Sequence, residues 1–405
     1  MEFGFTEEQE KLRKEIRDFF INELPADYRS GFIITKAQLS FGMELQKKAG
    51  KKGYLAPGWS KESGGLGLSD MEQGIVMEET GYWGAAWPST MGLRICGPPL
   101  HLFGTEEQKK KFLPPIARGE AIWYQAFTEP EAGSDEANIQ LRAVEDGDDY
   151  ILNGQKTFIT APAPADYLYT LVRTQDVKPK HRGISLFLVP AHAPGISYHP
   201  LLTMGVFTVE IFFDDVRISK DNLLGELNRG FYHAMATFMF ERSGTGVAAG
   251  TRRSLEEFVQ FCKETKRNGK PLIEDPQVRD TVAQMVVEAE INKLCGWHGQ
   301  WFFSQREKLG PQPYNLGALY AKTYSPPRSE AMMNIFGLYG QLQRGSEWVK
   351  YEGRVERGWQ ALRSTHPAGT LEINKVIIAE RGLGLPRIPS KLREVIGEAV
   401  KEAAG

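Results

Sequence analysis

The chain has 405 residues, 41% of them apolar, and a formal net charge of -2, enough material for two or three domains with buried cores. The near balance of charge gives no reason to expect nucleic acid or an anionic membrane as a partner, and no apolar run reaches the length of a bilayer span. Cys96, Cys262 and Cys295 lie far apart in apolar surroundings and the seven histidines lack ligand spacing, so free thiols and no metal centre are expected.

Thr6-Glu7-Glu8-Gln9 has the form of a capping box, and Leu12, Ile16, Phe19 and Phe20 then recur on one helical face. With a helix beginning there and no leader-like composition ahead of it, a cytoplasmic protein is expected. Ser69-Asp70-Met71-Glu72 and Thr105-Glu106-Glu107-Gln108 open two further helices the same way, with Tyr54–Pro57 and Gly64-Gly65 as connectors. The lysines at 47–48, 51–52 and 109–111 read as solvated helix faces. Phe112-Leu113-Pro114-Pro115 and Gly119 mark the exit from a helical domain over 1–120.

From Ile122 the periodicity changes to strands. Tyr167–Val172, Ile184–Pro190 and Val209–Phe213 are short, β-rich and bounded by Gly, Pro or Asp. Asp146-Gly147-Asp148 and Asn153-Gly154 read as turns between alternating segments. A middle antiparallel β-sheet or barrel domain over 121–228 is expected. After Gly230 helical spacing returns: Asp275-Pro276 is an N-cap followed by Pro, leading into Val278, Val282, Met285, Val286 and Ala289 on one face. Three or four long helices between Phe231 and Gly337, and a shorter one from about Glu372 to Glu380, make 229–405 a C-terminal helix bundle. The fold class is therefore α+β.

Two motifs within the middle segment are specific. The first is Tyr124-Gln125-Ala126-Phe127-Thr128-Glu129-Pro130-Glu131-Ala132-Gly133-Ser134-Asp135, and the second is Asn153-Gly154-Gln155-Lys156-Thr157-Phe158-Ile159-Thr160. Pro130 restricts one backbone angle and Gly133 frees another, so backbone amides of this loop can face a ligand. Together the motifs resemble the signature of the flavin-dependent acyl-CoA dehydrogenase family, whose order of helical domain, sheet domain and helix bundle matches the whole chain.

The resemblance implies FAD as cofactor and an acyl-CoA substrate. It implies that Thr128, Thr160 and the Phe127 backbone hydrogen-bond the polar edge of the flavin. Phe158 packs beside the ring, and Ser134 faces a pyrophosphate or the acyl-CoA chain. Asn334-Ile335-Phe336-Gly337-Leu338-Tyr339-Gly340 resembles a family segment that touches the FAD of a neighbouring subunit, with Asn334 and Leu338 departing from the usual Gln and Gly. The family's Arg-x-x-Phe-Gly, aimed at the same FAD, becomes Thr265-Lys266-Arg267-Asn268-Gly269, with Arg267 supplying the charge from a shifted position. These segments imply a homotetramer built as a dimer of dimers, or a hetero-oligomer with a related subunit. An electron-transfer flavoprotein is the implied electron acceptor.

Pro367-Ala368-Gly369-Thr370-Leu371-Glu372 and the Ile-x-x-x-Ile-Ile-Ala pattern after it align with the family's Tyr-Glu-Gly-Thr segment. The usual catalytic glutamate thus falls on Ala368, which keeps a backbone N–H for the thioester oxygen but has no base. Thr370 and Glu372 stand at the cofactor side of this segment. Three carboxylates compete for the role of base: Glu372, Glu352 and Glu241. Glu372 stands four residues beyond Ala368, where relatives often have an exposed polar residue near the FAD. Glu352, in Tyr351-Glu352-Gly353-Arg354, lacks the downstream pattern and reads as a surface residue. Glu241, followed by Arg242, resembles the isovaleryl and long-chain branches, which carry their base on this helix. Glu241 is therefore the expected base and Arg242 a substrate contact.

Gly244-Thr245-Gly246-Val247-Ala248-Ala249 matches a dinucleotide fingerprint formally, but no βαβ context surrounds it. It reads instead as a smooth helix surface for a ligand or another helix. Within the fold the alternatives are a non-catalytic FAD-binding partner subunit and an oxidase or monooxygenase. Outside it, the alternative is a non-enzymatic CoA-ester or flavin binding module.

Overall fold

The computed structural model describes residues 4–25, 28, 35–84, 87, 90–161, 163–204, 207–240, 245–309, 316–360, 365–366 and 369–387, without the side chains of 236–240 and 309. Five helices come first: α1 (Glu7–Glu23), α2 (Lys36–Lys51), α3 (Asp70–Trp83), α4 (Gly97–Phe103) and α5 (Glu106–Ala117). Thr6, Ser69 and Thr105 each accept from the N3 amide while the N3 side chain reaches back, so all three expected capping boxes form. Pro114 and Pro115 do not end α5. They sit inside it, and the helix runs on until the Arg118 N–H bonds the Pro114 carbonyl.

The middle of the chain forms a seven-stranded sheet: β1 (Trp123–Ala126), β2 (Arg142–Asp146), β3 (Asp149–Thr160), β4 (Tyr167–Arg173), β5 (Ile184–Pro190), β6 (Ile196–Leu202) and β7 (Phe207–Ser219). The sheet is mixed rather than wholly antiparallel. β1 runs parallel to β4, and β2 meets β4 in parallel at Arg142 and Arg173, while the other pairings are antiparallel. Because β4 pairs with β1, β2 and β5, the sheet curls. One face gathers Leu152, Leu168, Val172, Phe187, Ile211 and Val216 into a core. The other packs Trp123, Tyr169, Leu171 and Leu186 on Leu100, Phe112 and Ile116 of α4 and α5.

Asp146–Asp149 turns from β2 into β3 as expected, but Asn153-Gly154 does not turn. β3 passes straight through it against β7 with a register shift between Leu152 and Gly154. Asn153 bonds Asp215 across the shift, and Gly154, at φ +139, has its missing Cβ 3.0 Å from Leu141 Cα. The extra residue is on β7, where Asp214 and Asp215 (φ +49) stand opposite Asn153, so the turn-type residues of β3 face a bulge.

The chain then runs through α6 (Gly230–Phe240), α7 (Thr245–Glu264), a hairpin of β8 (Lys266–Arg267) and β9 (Lys270–Pro271), α8 (Pro276–Ser304), α9 (Arg306–Leu309), α10 (Leu316–Phe336), α11 (Arg354–Gln360) and α12 (Leu371–Ile377). Asp275 caps α8 as expected, and Val278, Val282, Met285 and Ala289 are buried. Val286 is 49% exposed and off that face.

The small-residue run is explained by α3. A Cβ on Gly81 would stand 2.0 Å from the Gly246 carbonyl oxygen, and one on Gly246 would stand 2.9 Å from that of Met77. The run brings two helix backbones together. No described helix is long and apolar enough to cross a membrane.

Candidate active site

β1 delivers the chain to Phe127, which is buried with its ring centroid 5.3 Å from that of Tyr169. Glu129 and Ala132 then exchange backbone hydrogen bonds of 3.1 and 3.0 Å, closing a tight turn that leaves Gly133, Ser134 and Asp135 exposed. β3 approaches from the far side. The Thr157 N–H donates to the Thr128 carbonyl at 2.9 Å. Lys156, wholly buried, donates from Nζ to the Phe127 carbonyl at 3.0 Å and to Glu129 Oε1 at 2.7 Å. The Glu129 carboxylate also accepts from the Gln140 and Leu141 amides. Burial pushes the Lys156 ammonium down to about 8, against the opposing pull of Glu129. Arg173 secures the next loop by donating to the carbonyls of Ala137, Ile139 and Lys180.

Beyond Lys156 the β3–β7 register shifts again before Ile159. There Phe158 takes φ +57 and is 59% exposed. A bulky residue in the left-handed region costs about 1–3 kcal/mol and is held only where its surroundings impose it. Here buried Thr157 and Ile159 on either side lift the ring onto the surface. Thr160 lies opposite Thr208. Among the described residues neither the Thr128 nor the Thr160 hydroxyl has a hydrogen-bond partner, and both residues are half-buried. Two open hydroxyls and an open aromatic face on adjoining chain segments fit the polar edge and flat face of a flavin.

A second group forms at the bundle. Asn268 (φ +53) and Gly269 (φ +81) turn the β8–β9 hairpin, and the Arg267 guanidinium donates to the Ile335 carbonyl. Arg267 is thereby brought beside Asn334, Gly337 and Leu338, all exposed, with Leu338 82% exposed. No hydrogen bond or ion pair among the described residues joins this patch to the β3 shelf.

A third group leads into α12. Gly369 (φ +78) presents its carbonyl to Lys322 Nζ at 2.7 Å and Asn374 Nδ2 at 2.9 Å, and the Thr370 hydroxyl accepts from the Ile373 amide. Glu372 is exposed, and hydrogen bonds from its own backbone amide and the Thr370 hydroxyl hold its carboxyl below the usual range. A cavity of about 200 Å³ lies here, lined in part by Lys322, His366 and Glu372. Glu352 is exposed, at φ +56. Glu241, Arg242 and Ala368 lie outside the described residues. Among the described residues no cluster of metal-ligating side chains occurs, and Cys96, Cys262 and Cys295 are free thiols.

Sequence reasoning did not find the Glu129–Lys156 pair, Arg173 or Lys322. For Lys156 a signal existed: it shares strand parity with Tyr150 and Leu152, the inward side, where a lysine needs a carboxylate.

Family models for the N-terminal, middle and C-terminal domains of acyl-CoA dehydrogenase match residues 6–120, 125–216 and 228–383. The acyl-CoA dehydrogenase FadE26 of Mycobacterium tuberculosis is 34% identical over 398 residues, covering 96% of this chain and 99% of that protein. The solved ChsE4–ChsE5 complex from the same organism superposes with a TM-score of 0.84 at 34% identity, covering 96% of this chain and all of the matched one. A structure described as the Tcur3481–Tcur3483 steroid ACAD gives 0.83 at 30% identity, with 96% and 100% covered.

Proposed function

Because the chain belongs to the acyl-CoA dehydrogenase family, we propose roles for its own residues in FAD-dependent α,β-dehydrogenation of an acyl-CoA thioester to the 2-enoyl-CoA. When bound, FAD supplies the acceptor for the hydride that leaves Cβ. The Phe127 and Thr128 backbone and the Thr128 and Thr160 hydroxyls hold the polar edge of the flavin. Phe158 covers its flank and keeps water from those hydrogen bonds. Ser134 lies towards the pyrophosphate or the acyl-CoA chain.

Glu241 takes the α proton: the Cα–H bond breaks, its electrons become the new Cα–Cβ double bond, and the Cβ–H bond gives up the hydride. The Ala368 N–H donates to the thioester oxygen as charge develops there. Arg242 contacts the substrate. Arg267, Asn334, Gly337 and Leu338 meet the FAD of a neighbouring subunit, and Thr370 and Glu372 flank the cofactor from α12.

The observation that carries this reading is the pair of open hydroxyls beside exposed Phe158. The purified protein should be yellow and should bleach when an acyl-CoA is added without oxygen. A colourless protein that takes up no FAD refutes it, and a yellow one that never bleaches favours a binding module.

The acyl group on this reading is bulky, of the steroid type, supported by the description of the Tcur relative. The oligomer is a dimer of dimers, formed by this chain alone or with a related second chain. Its support is the exposed face of α8 carrying Val287, Ile291, Leu294 and Trp301, together with the two-chain relative. Electrons leave to an electron-transfer flavoprotein docking over the exposed Phe158 edge, in the cytoplasm, where the three free thiols stay reduced.

A further inference from the structure

The peptide between Phe127 and Thr128 is planar and trans, so its C=O and N–H point in opposite directions. Its carbonyl is drawn inward by Lys156 Nζ at 3.0 Å, and the next carbonyl, that of Thr128, is drawn to the Thr157 amide at 2.9 Å. The Thr128 N–H must therefore face away from Lys156, and it finds no acceptor among the described residues. Lys156 cannot rotate freely, because Glu129 Oε1 holds the ammonium at 2.7 Å and Glu129 is itself held by the Gln140 and Leu141 amides. Both side chains are at least 95% buried. A salt bridge this deep adds little net stability compared with an apolar pair of similar volume, so stability alone is a weak reason for its presence.

We propose that Lys156 and Glu129 are positioning residues whose buried ion pair aims the Thr128 N–H at the polar edge of the flavin. The inference rests on the flavin reading above and adds two residues that touch neither flavin nor substrate. The ammonium turns the peptide, the carboxylate holds the ammonium, and the turn Glu129–Ala132 starts from the carboxylate's own backbone.

The test uses the full chain and the double variant Glu129→Gln/Lys156→Met, which removes both charges together and leaves neither buried alone. At neutral pH the apoprotein should melt close to the wild type. FAD should bind about tenfold more weakly, its visible band should shift, and its midpoint potential should become more negative, because a donor to the reduced ring is lost. A merely structural pair would leave band and potential unchanged. In the wild type itself, the Thr128 amide proton should move downfield when FAD is added to the apoprotein. A folded double variant with wild-type affinity, band and potential overturns the positioning role, as does a Thr128 resonance that FAD leaves in place. Failure of the wild type to take up FAD overturns the flavin reading and this inference together.

Discussion

The Arg267 guanidinium donates to the carbonyl of Ile335, tying the β8–β9 hairpin to the C-terminal end of α10. The two stretches lie 68 residues apart in sequence, and each resembles a segment that reaches a neighbour's FAD. Their meeting at one exposed patch gives that patch both a cation and the projecting Leu338. Arg267→Ala should cost the isolated fold about 1 kcal/mol, the net worth of one part-buried hydrogen bond. It should lower the FAD-to-protein ratio that survives gel filtration and shift elution towards smaller species. Unchanged FAD content and elution would separate Arg267 from the cofactor.

Thr160→Ala removes one of the two open hydroxyls. It should weaken FAD binding by roughly 0.5–1.5 kcal/mol, the net worth of one hydrogen bond, with a shifted flavin band. Fluorescence titration of the apoprotein measures the first effect. An unchanged dissociation constant would mean that the hydroxyl faces something else.

Lys156 gives a pH signature of known sign. Burial holds its ammonium at about 8, below the ordinary 10.5, so between those values the unfolded chain binds the extra proton. The contribution of this group to stability therefore grows as pH rises through that window and is lost as pH falls through about 8. Apoprotein melting temperatures between neutral and alkaline pH should show this slope in the wild type and lack it in Glu129→Gln/Lys156→Met. Equal slopes would show that Lys156 titrates as an ordinary lysine.

Gly81→Ala tests the contact of α3 with α7. The new methyl would stand 2.0 Å from the Gly246 carbonyl oxygen, which is backbone and cannot rotate away. A cost of about 1–3 kcal/mol is expected from the forced separation, read by urea unfolding. A neutral result would mean that the two helices slide apart without penalty.

These cases also mark what the sequence could disclose. Helix starts at Thr6, Ser69 and Thr105 were legible because a capping box is complete within four residues. Asn153-Gly154 misled because its turn chemistry is local, whereas the strand that keeps it extended is β7, far along the chain. The parallel pairing of β1 with β4 is likewise set by a distant partner. At the site, Phe127, Thr128, Phe158 and Thr160 could be named from motifs. Glu129 and Lys156 stood within the same motifs, yet their pairing spans 27 residues and needs the register of β3 against the loop. The small-residue run after Ser243 showed that something must come close, and only the fold identified it as α3.

The most direct measurement is anaerobic rapid mixing of the FAD-loaded protein with branched, straight and steroid-type acyl-CoAs, following loss of visible flavin absorbance. The wild type should bleach, fastest with the bulky esters. Glu241→Gln should keep FAD and acyl-CoA affinity while slowing bleaching roughly a hundredfold or more, as expected when a general base is removed. Glu352→Gln, at an exposed position, should match the wild type. Bleaching of Glu241→Gln at the wild-type rate, or its loss in Glu352→Gln alone, would contradict the assignment of Glu241 as base.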